Sequence, residues 1–153
     1  MGFSVSTTRE PIYDGFSRLR REAETLGIPA TQWIDGSYVE TKDDPRDVDV
    51  VTFCDYDYLI GASSSIKAFV ETCLNGAEKT RVTYSTHTFL VPSCPPGHGF
   101  YNVFERWRAY WREWFGGTRQ ESDQQQRYLK GIVEMTMGPA ESAPRIRAER
   151  SRA

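Results

Sequence analysis

The chain has 153 residues, 39% of them hydrophobic and 13% aromatic, enough for one domain to bury a core without disulfide or metal staples. Its 19 basic and 21 acidic side chains leave a net charge of −2, so no global basic field favours nucleic acid, and a polynucleotide would need a local patch. Cys54, Cys73 and Cys94 are odd in number and widely spaced, which fits neither a disulfide framework nor a CxxC metal site and points to a reducing, cytoplasmic compartment; no apolar run reaches membrane-helix length.

Residues 1–11 are polar, end at Pro11 and read as an irregular lead-in. Over residues 12–26, Ile12, Phe16, Leu19, Ala23 and Leu26 recur at helical spacing, predicting an amphipathic helix that leaves Arg18, Arg20, Arg21, Glu22 and Glu24 on a solvated face. Gly27 and Pro29 stop it. Residues 31–35 and 48–54 are predicted strands, and the polar run YVETKDDPRD between them, broken by Pro45, is a loop over the site that follows.

That site begins where the second strand opens. Alternate residues of a strand face the same way, so Asp47 and Asp49 project together while Val48 and Val50 point into a core. Paired carboxylates suit a hard cation such as Mg²⁺, which takes one or two protein carboxylates and completes its shell with water and substrate phosphates. Gly36-Ser37, at the end of the first strand, supplies the complement: a backbone that approaches a ligand closely, with amide N–H groups and a hydroxyl to cradle an anion. Metal beside phosphate describes a nucleoside triphosphate (NTP) site. Asp35 is given a turn role, its carboxylate bonding local backbone.

Asp55 and Asp57 repeat the aspartate spacing but fall where the strand ends, so they read as helix-entry residues. Ser63, Ser64 and Ser65 offer an N-cap for a helix running to about Leu74, with Ile66, Phe69, Val70 and Cys73 as its stripe and Asn75-Gly76 as its stop. Residues 81–91 are rich in β-branched residues and read as a strand ending at Pro92; residues 93–99 are a Pro/Gly loop in which His98 is exposed. Residues 100–115 form the strongest helical pattern. Its stripe of Phe100, Val103, Phe104, Trp107, Tyr110, Trp111, Trp114 and Phe115 is assigned to core packing against the sheet rather than to base stacking. Gly116-Gly117 caps it, residues 128–137 are the last predicted strand, and residues 139–153 are a polar, Arg-rich tail expected to be disordered.

A Gly-Ser pair, a polar loop and then an aspartate pair opening an apolar strand resemble the signature of the DNA polymerase β type nucleotidyltransferase superfamily, in its small, minimal form. The stretch from Trp114 to Arg119, WFGGTR, and the later Lys130-Gly131-Ile132-Val133 are similar to a pattern found with that signature in a group of small, mostly uncharacterised prokaryotic proteins; together these segments span residues 12–137. The resemblance implies an α/β (α+β) fold, a small mixed sheet flanked by helices, over residues 12–138. It implies transfer of a nucleoside monophosphate from NTP to a hydroxyl acceptor, with two metal ions, Mg²⁺ or Mn²⁺, held by Asp47 and Asp49 and with Gly36 and Ser37 on the β and γ phosphates. Arg119 and Lys130 are assigned to the triphosphate on chemical grounds, because phosphoryl transfer uses cations to balance developing charge. Acceptors in that superfamily are small molecules, protein side chains or RNA ends, and some members sit in toxin–antitoxin or phage-defence pairs with a partner encoded nearby.

One position departs from the pattern. A third carboxylate is expected on a strand beside the aspartate strand, followed by apolar residues and Pro; here the run is His87-Thr88-Phe89-Leu90-Val91-Pro92, with His87 in the acid's place. Imidazole is a poor Mg²⁺ ligand, a better one for later transition metals, and adds no negative charge. Three readings follow: His87 as general base or as ligand in an Mn²⁺ enzyme, a degenerate nucleotidyltransferase fold acting as an antitoxin-like or regulatory binding protein, or a histidine on a half-exposed strand with no ligand role.

Overall fold

The computed structural model describes residues 9–35, 47–116, 131–138 and 146–150. The first helix, α1 (Arg9–Thr25), buries Ile12, Phe16, Leu19 and Ala23. It starts earlier than the lead-in expectation allowed, because Pro11 lies in the first turn, where no intrahelical partner is needed for its missing N–H. Gly27, at φ +72°, closes the helix: its N–H donates to the Glu24 carbonyl (2.9 Å) and Ile28 N–H to the Ala23 carbonyl (3.2 Å), the two bonds of a Schellman cap.

The described elements then follow in the order β1 (Ala30–Asp35), β2 (Val48–Asp55), α2 (Tyr56–Gly61), α3 (Ser64–Phe69, widening into a π turn at Val70–Leu74), α4 (Thr80–Tyr84), β3 (Thr86–Ser93), α5 (Tyr101–Gly116), β4 (Gly131–Met137) and β5 (Ile146–Arg150). The five strands form one mixed sheet in the order β3-β2-β1-β4-β5, with β2 and β3 parallel and the other pairs antiparallel. The fold is thus α+β, as the sequence predicted. No helix among the described residues is long and apolar enough to cross a membrane.

Each face of the sheet is covered. On one, Ile34, Val48 and Val50 meet Ile12 and Phe16 of α1, while Leu19, Ala23, Cys54, Leu74 and Tyr84 continue the same layer through α3 and α4. On the other, Trp33, Val51, Phe53, Val91 and Ile132 pack under Phe104, Trp111 and Phe115 of α5. The opposite placement of neighbouring residues along β2 follows from the period of two. The α1 face also holds a polar chain: the Arg20 guanidinium donates to Gln32 Oε1 (2.6 Å) and to the Thr136 carbonyl (3.2 Å), and Gln32 Nε2 donates to Thr52 Oγ1 (3.0 Å).

Four expectations are corrected. Arg20 is only 7% exposed, not on the solvated face; its guanidinium lies over the sheet, where Gln32 and a strand carbonyl satisfy it. Residues 81–84, read as the start of a strand, belong to α4, which Ser85 ends in the left-handed region (φ 53°) before β3 begins; Pro92 lies inside β3, tolerated because β3 is an edge strand. Within the tail expected to be disordered, Ile146–Arg150 pairs with β4, since an open sheet edge binds a strand through backbone alone, without an apolar period. The α5 stripe splits: Phe104, Trp111 and Phe115 are buried, whereas Trp107, Tyr110 and Trp114 are exposed. At about 100° per residue these three lie roughly 60–120° around the helix from Phe104, outside the strip that touches the sheet.

Gly15 is where α1 meets α4. A Cβ there would stand 2.2 Å from the Tyr84 carbonyl oxygen. Gly→Ala in a helix ordinarily stabilises through lost unfolded-state entropy, but here the added methyl meets backbone that cannot rotate aside. Gly15→Ala is expected to lower stability by about 1–3 kcal/mol, measured by chemical denaturation; a gain in stability would show that the two helices do not approach this closely.

Candidate functional site

Val48 and Val50, both fully buried against α1, hold the register of β2; a one-residue slip would turn the carboxylates into that apolar layer. That register puts Asp49 on the α5 face and leaves Asp47 at the strand's mouth, 9% exposed. The parallel pairing of β3 makes His87 the direct partner of Asp49, with His87 Nδ1 3.4 Å from Asp49 Oδ1. On the other side of β2, Asp35 is the antiparallel partner of Asp49, so the end of β1 that runs into Gly36 lies beside the same carboxylate.

Ligand atoms of Asp47, Asp49 and His87 all lie within 4.8 Å of one another. Oxygen and nitrogen ligands at about 2.0–2.2 Å from one divalent ion stand up to about 4.4 Å apart, so this donor set fits a single cation with little adjustment. Two carboxylates and an imidazole accommodate Mn²⁺ or a later transition metal more readily than Mg²⁺.

The surroundings fix the cluster from two directions. The His87 ring rests on Phe89 (centroids 4.5 Å), which rests on Trp111 of α5 at the same separation, so the aromatic core sets the imidazole's position. From the other side, Arg81 of α4 pairs through Nε with Asp47 Oδ2. The turn between α4 and β3 is tied to the mouth of β2 by Val48 N–H donating to the Ser85 carbonyl (3.2 Å), and Thr80 Oγ1 lies 2.8 Å from the Thr86 carbonyl. Arg81 and His87 thus come from one segment and meet one aspartate each.

Gly36, Ser37, Arg119 and Lys130 lie outside the described residues. Asp55 caps α2, accepting from Tyr58 N–H (2.9 Å), as expected of a helix-entry residue. Asp57 bonds His98 Nε2 (3.1 Å), and His98 also accepts from Phe100 N–H and packs on Tyr56, so His98 is a loop-bracing residue and not simply exposed. Burial pushes the Cys54 thiol up to about 11, and its S–H meets the Pro29 carbonyl, which suits a core residue and not a nucleophile. A cleft of about 230 Å³ under α5, lined by Trp33, Phe53, Phe104, Arg108, Arg112 and Glu134 among others, opens four residues along β2 from Asp49, apart from the cluster.

Arg81 is the site residue that sequence reasoning missed. It opens the run RVTYSTHT, whose β-branched residues mimic a strand, and only the helical turn of α4 followed by left-handed Ser85 carries it to Asp47.

Comparison with curated proteins and with solved structures finds no match. The sequence profile of a family of unknown function (DUF6932) matches residues 2–136, most of the chain, and the chain belongs to that family.

Proposed function

We propose that this protein is a nucleotidyltransferase that moves a nucleoside monophosphate from NTP to a hydroxyl acceptor in the cytoplasm, using a divalent cation, Mn²⁺ or Mg²⁺. The observation that carries the reading is the meeting of Asp47, Asp49 and His87 on adjoining strands, beside the strand end that leads into Gly36-Ser37. Asp47 and Asp49, with His87, would hold the cation, which when bound neutralises phosphate charge and aligns the triphosphate. Gly36 and Ser37 would cradle the β and γ phosphates, and Arg119 and Lys130 would balance the charge of the departing group. In the transfer the acceptor oxygen bonds the α-phosphorus, the bond to the bridging oxygen breaks, and pyrophosphate leaves. The acceptor's proton passes to water, because an imidazole that ligates the cation through one ring nitrogen carries its own proton on the other. The acceptor is a small molecule, a protein side chain or an RNA end; a toxin–antitoxin or phage-defence setting, with a partner encoded nearby, is part of the same proposal.

A second reading, a lapsed nucleotidyltransferase fold serving as an antitoxin-like or regulatory binding protein, is favoured by two observations: Asp47 is engaged by Arg81, and Asp49 faces His87 where a third acid would stand. Incubation with α-labelled NTPs across a metal panel separates the two. Label transfer with Mn²⁺ or Mg²⁺ supports the enzyme; no transfer with any metal supports the lapsed protein. His87→Asp is expected to raise Mg²⁺ affinity by roughly tenfold or more, as a third hard, charged ligand should; unchanged affinity by calorimetry would remove residue 87 from the metal site.

A further inference from the structure

We infer that Arg81 is a substrate-binding residue held in reserve: it pairs with Asp47 and passes to the NTP phosphates when a cation takes that carboxylate. The inference rests on the nucleotidyltransferase reading and adds to it a residue the sequence did not reveal. Its basis is the contrast between the two partners. The Asp47 side chain is 12% exposed at the mouth of β2, while the Arg81 side chain is 53% exposed on a long flexible stem, so when the pair opens it is the guanidinium that moves.

Charge balance gives the direction. A divalent cation on Asp47 beside a retained Arg81 would place two positive charges in repulsion across one carboxylate, and departure of Arg81 relieves it. An incoming triphosphate offers the released guanidinium several anionic oxygens in the bidentate geometry that suits it. The anchoring of α4 to the β2 mouth through Ser85, and of Thr80 to Thr86, keeps the stem of Arg81 beside the cluster, so the side chain exchanges partners without movement of the helix.

An arginine that only orients Asp47 makes the opposite prediction. Loss of a residue that merely supports a ligand weakens metal binding by roughly 10–100-fold, whereas loss of a competing cation strengthens it. The test is calorimetry of Mn²⁺ alone, and of NTP at saturating Mn²⁺, on the full chain as wild type, Arg81→Ala and Arg81→Lys, with circular dichroism melts to verify folding. Arg81→Ala is expected to bind Mn²⁺ several-fold tighter than wild type yet to bind NTP roughly tenfold or more weaker, and Arg81→Lys to recover part of the NTP affinity. Mn²⁺ binding that is unchanged or weaker in Arg81→Ala overturns the inference, as does unchanged NTP affinity. If wild type binds NTP with Mn²⁺ and either of those results is found, the nucleotidyltransferase reading stands and the role of Arg81 falls; if wild type binds no NTP with any metal, the reading itself falls and takes this inference with it.

Discussion

Asp49→Asn is expected to abolish metal-dependent NTP binding while leaving the fold intact. Asp49 is the central residue of the cluster: its backbone pairs with Asp35 on one side and His87 on the other, and its carboxylate is the one nearest the imidazole. Asparagine has nearly the same shape, so the packing of Val48 and Val50 behind it should persist, yet it removes one of the two charges that attract a cation. Loss of a residue that only supports a metal ligand already costs roughly 10–100-fold in affinity, so removal of a charged ligand should cost at least the upper end of that range. Calorimetry with Mn²⁺ and NTP, beside a thermal melt, reads both halves of the prediction. Equal NTP affinity in wild type and variant would end the nucleotidyltransferase proposal.

The largest stability effect is expected at Arg20. Burial lowers the pKa of its guanidinium, opposed by the nearby Glu24, and the side chain bridges α1 to the sheet through Gln32 and the Thr136 carbonyl. Arg20→Ala would leave Gln32 Oε1 without its donor on the α1 face and open a void above the strands. A buried acceptor without a partner costs about 1–3 kcal/mol and lost side-chain packing adds to it, so a destabilisation of about 2–4 kcal/mol is expected. For a domain of this size each kcal/mol lowers the melting temperature by about 2–4 °C, so the midpoint should fall by several degrees or more. Arg20→Met, which keeps much of the stem, should recover part of the loss and none of the hydrogen bonding. A midpoint unchanged in Arg20→Ala would show that the polar chain contributes nothing to stability.

The parts of the fold that were legible in the sequence are those whose period has one interpretation. The helical spacing from Ile12 to Ala23, the valines of β2 and the glycine stop at Gly27 each pointed to the element observed. The placement of Asp47 and Asp49 together needed only the alternation of a strand. His87 required more: its position beside Asp49 depends on the parallel pairing of β2 and β3, which local sequence does not encode and which was reached through resemblance to a known pattern. Arg81 was illegible because β-branched side chains around it favour a strand while tertiary contacts, Tyr84 against α1 and Thr80 against Thr86, impose a helical turn. Burial of Arg20 was hidden for a related reason. A charged residue on a helix reads as solvated until the partner on the facing sheet is known, and Gln32 is twelve residues away. The exposed half of the α5 stripe shows the same limit in reverse, since an apolar period tells how wide a face is but not how much of it a twisted sheet will cover.

Residue 87 sits on the outermost strand, partly open to solvent, with a single neighbouring strand and an aromatic shelf beneath it. An acid there is smaller than the imidazole and meets no clash, losing only the contact with Phe89, so the fold should tolerate the exchange at modest cost. Under the nucleotidyltransferase proposal, the choice between magnesium and softer ions, or between turnover and mere binding, would therefore rest on one codon while the architecture stays as it is.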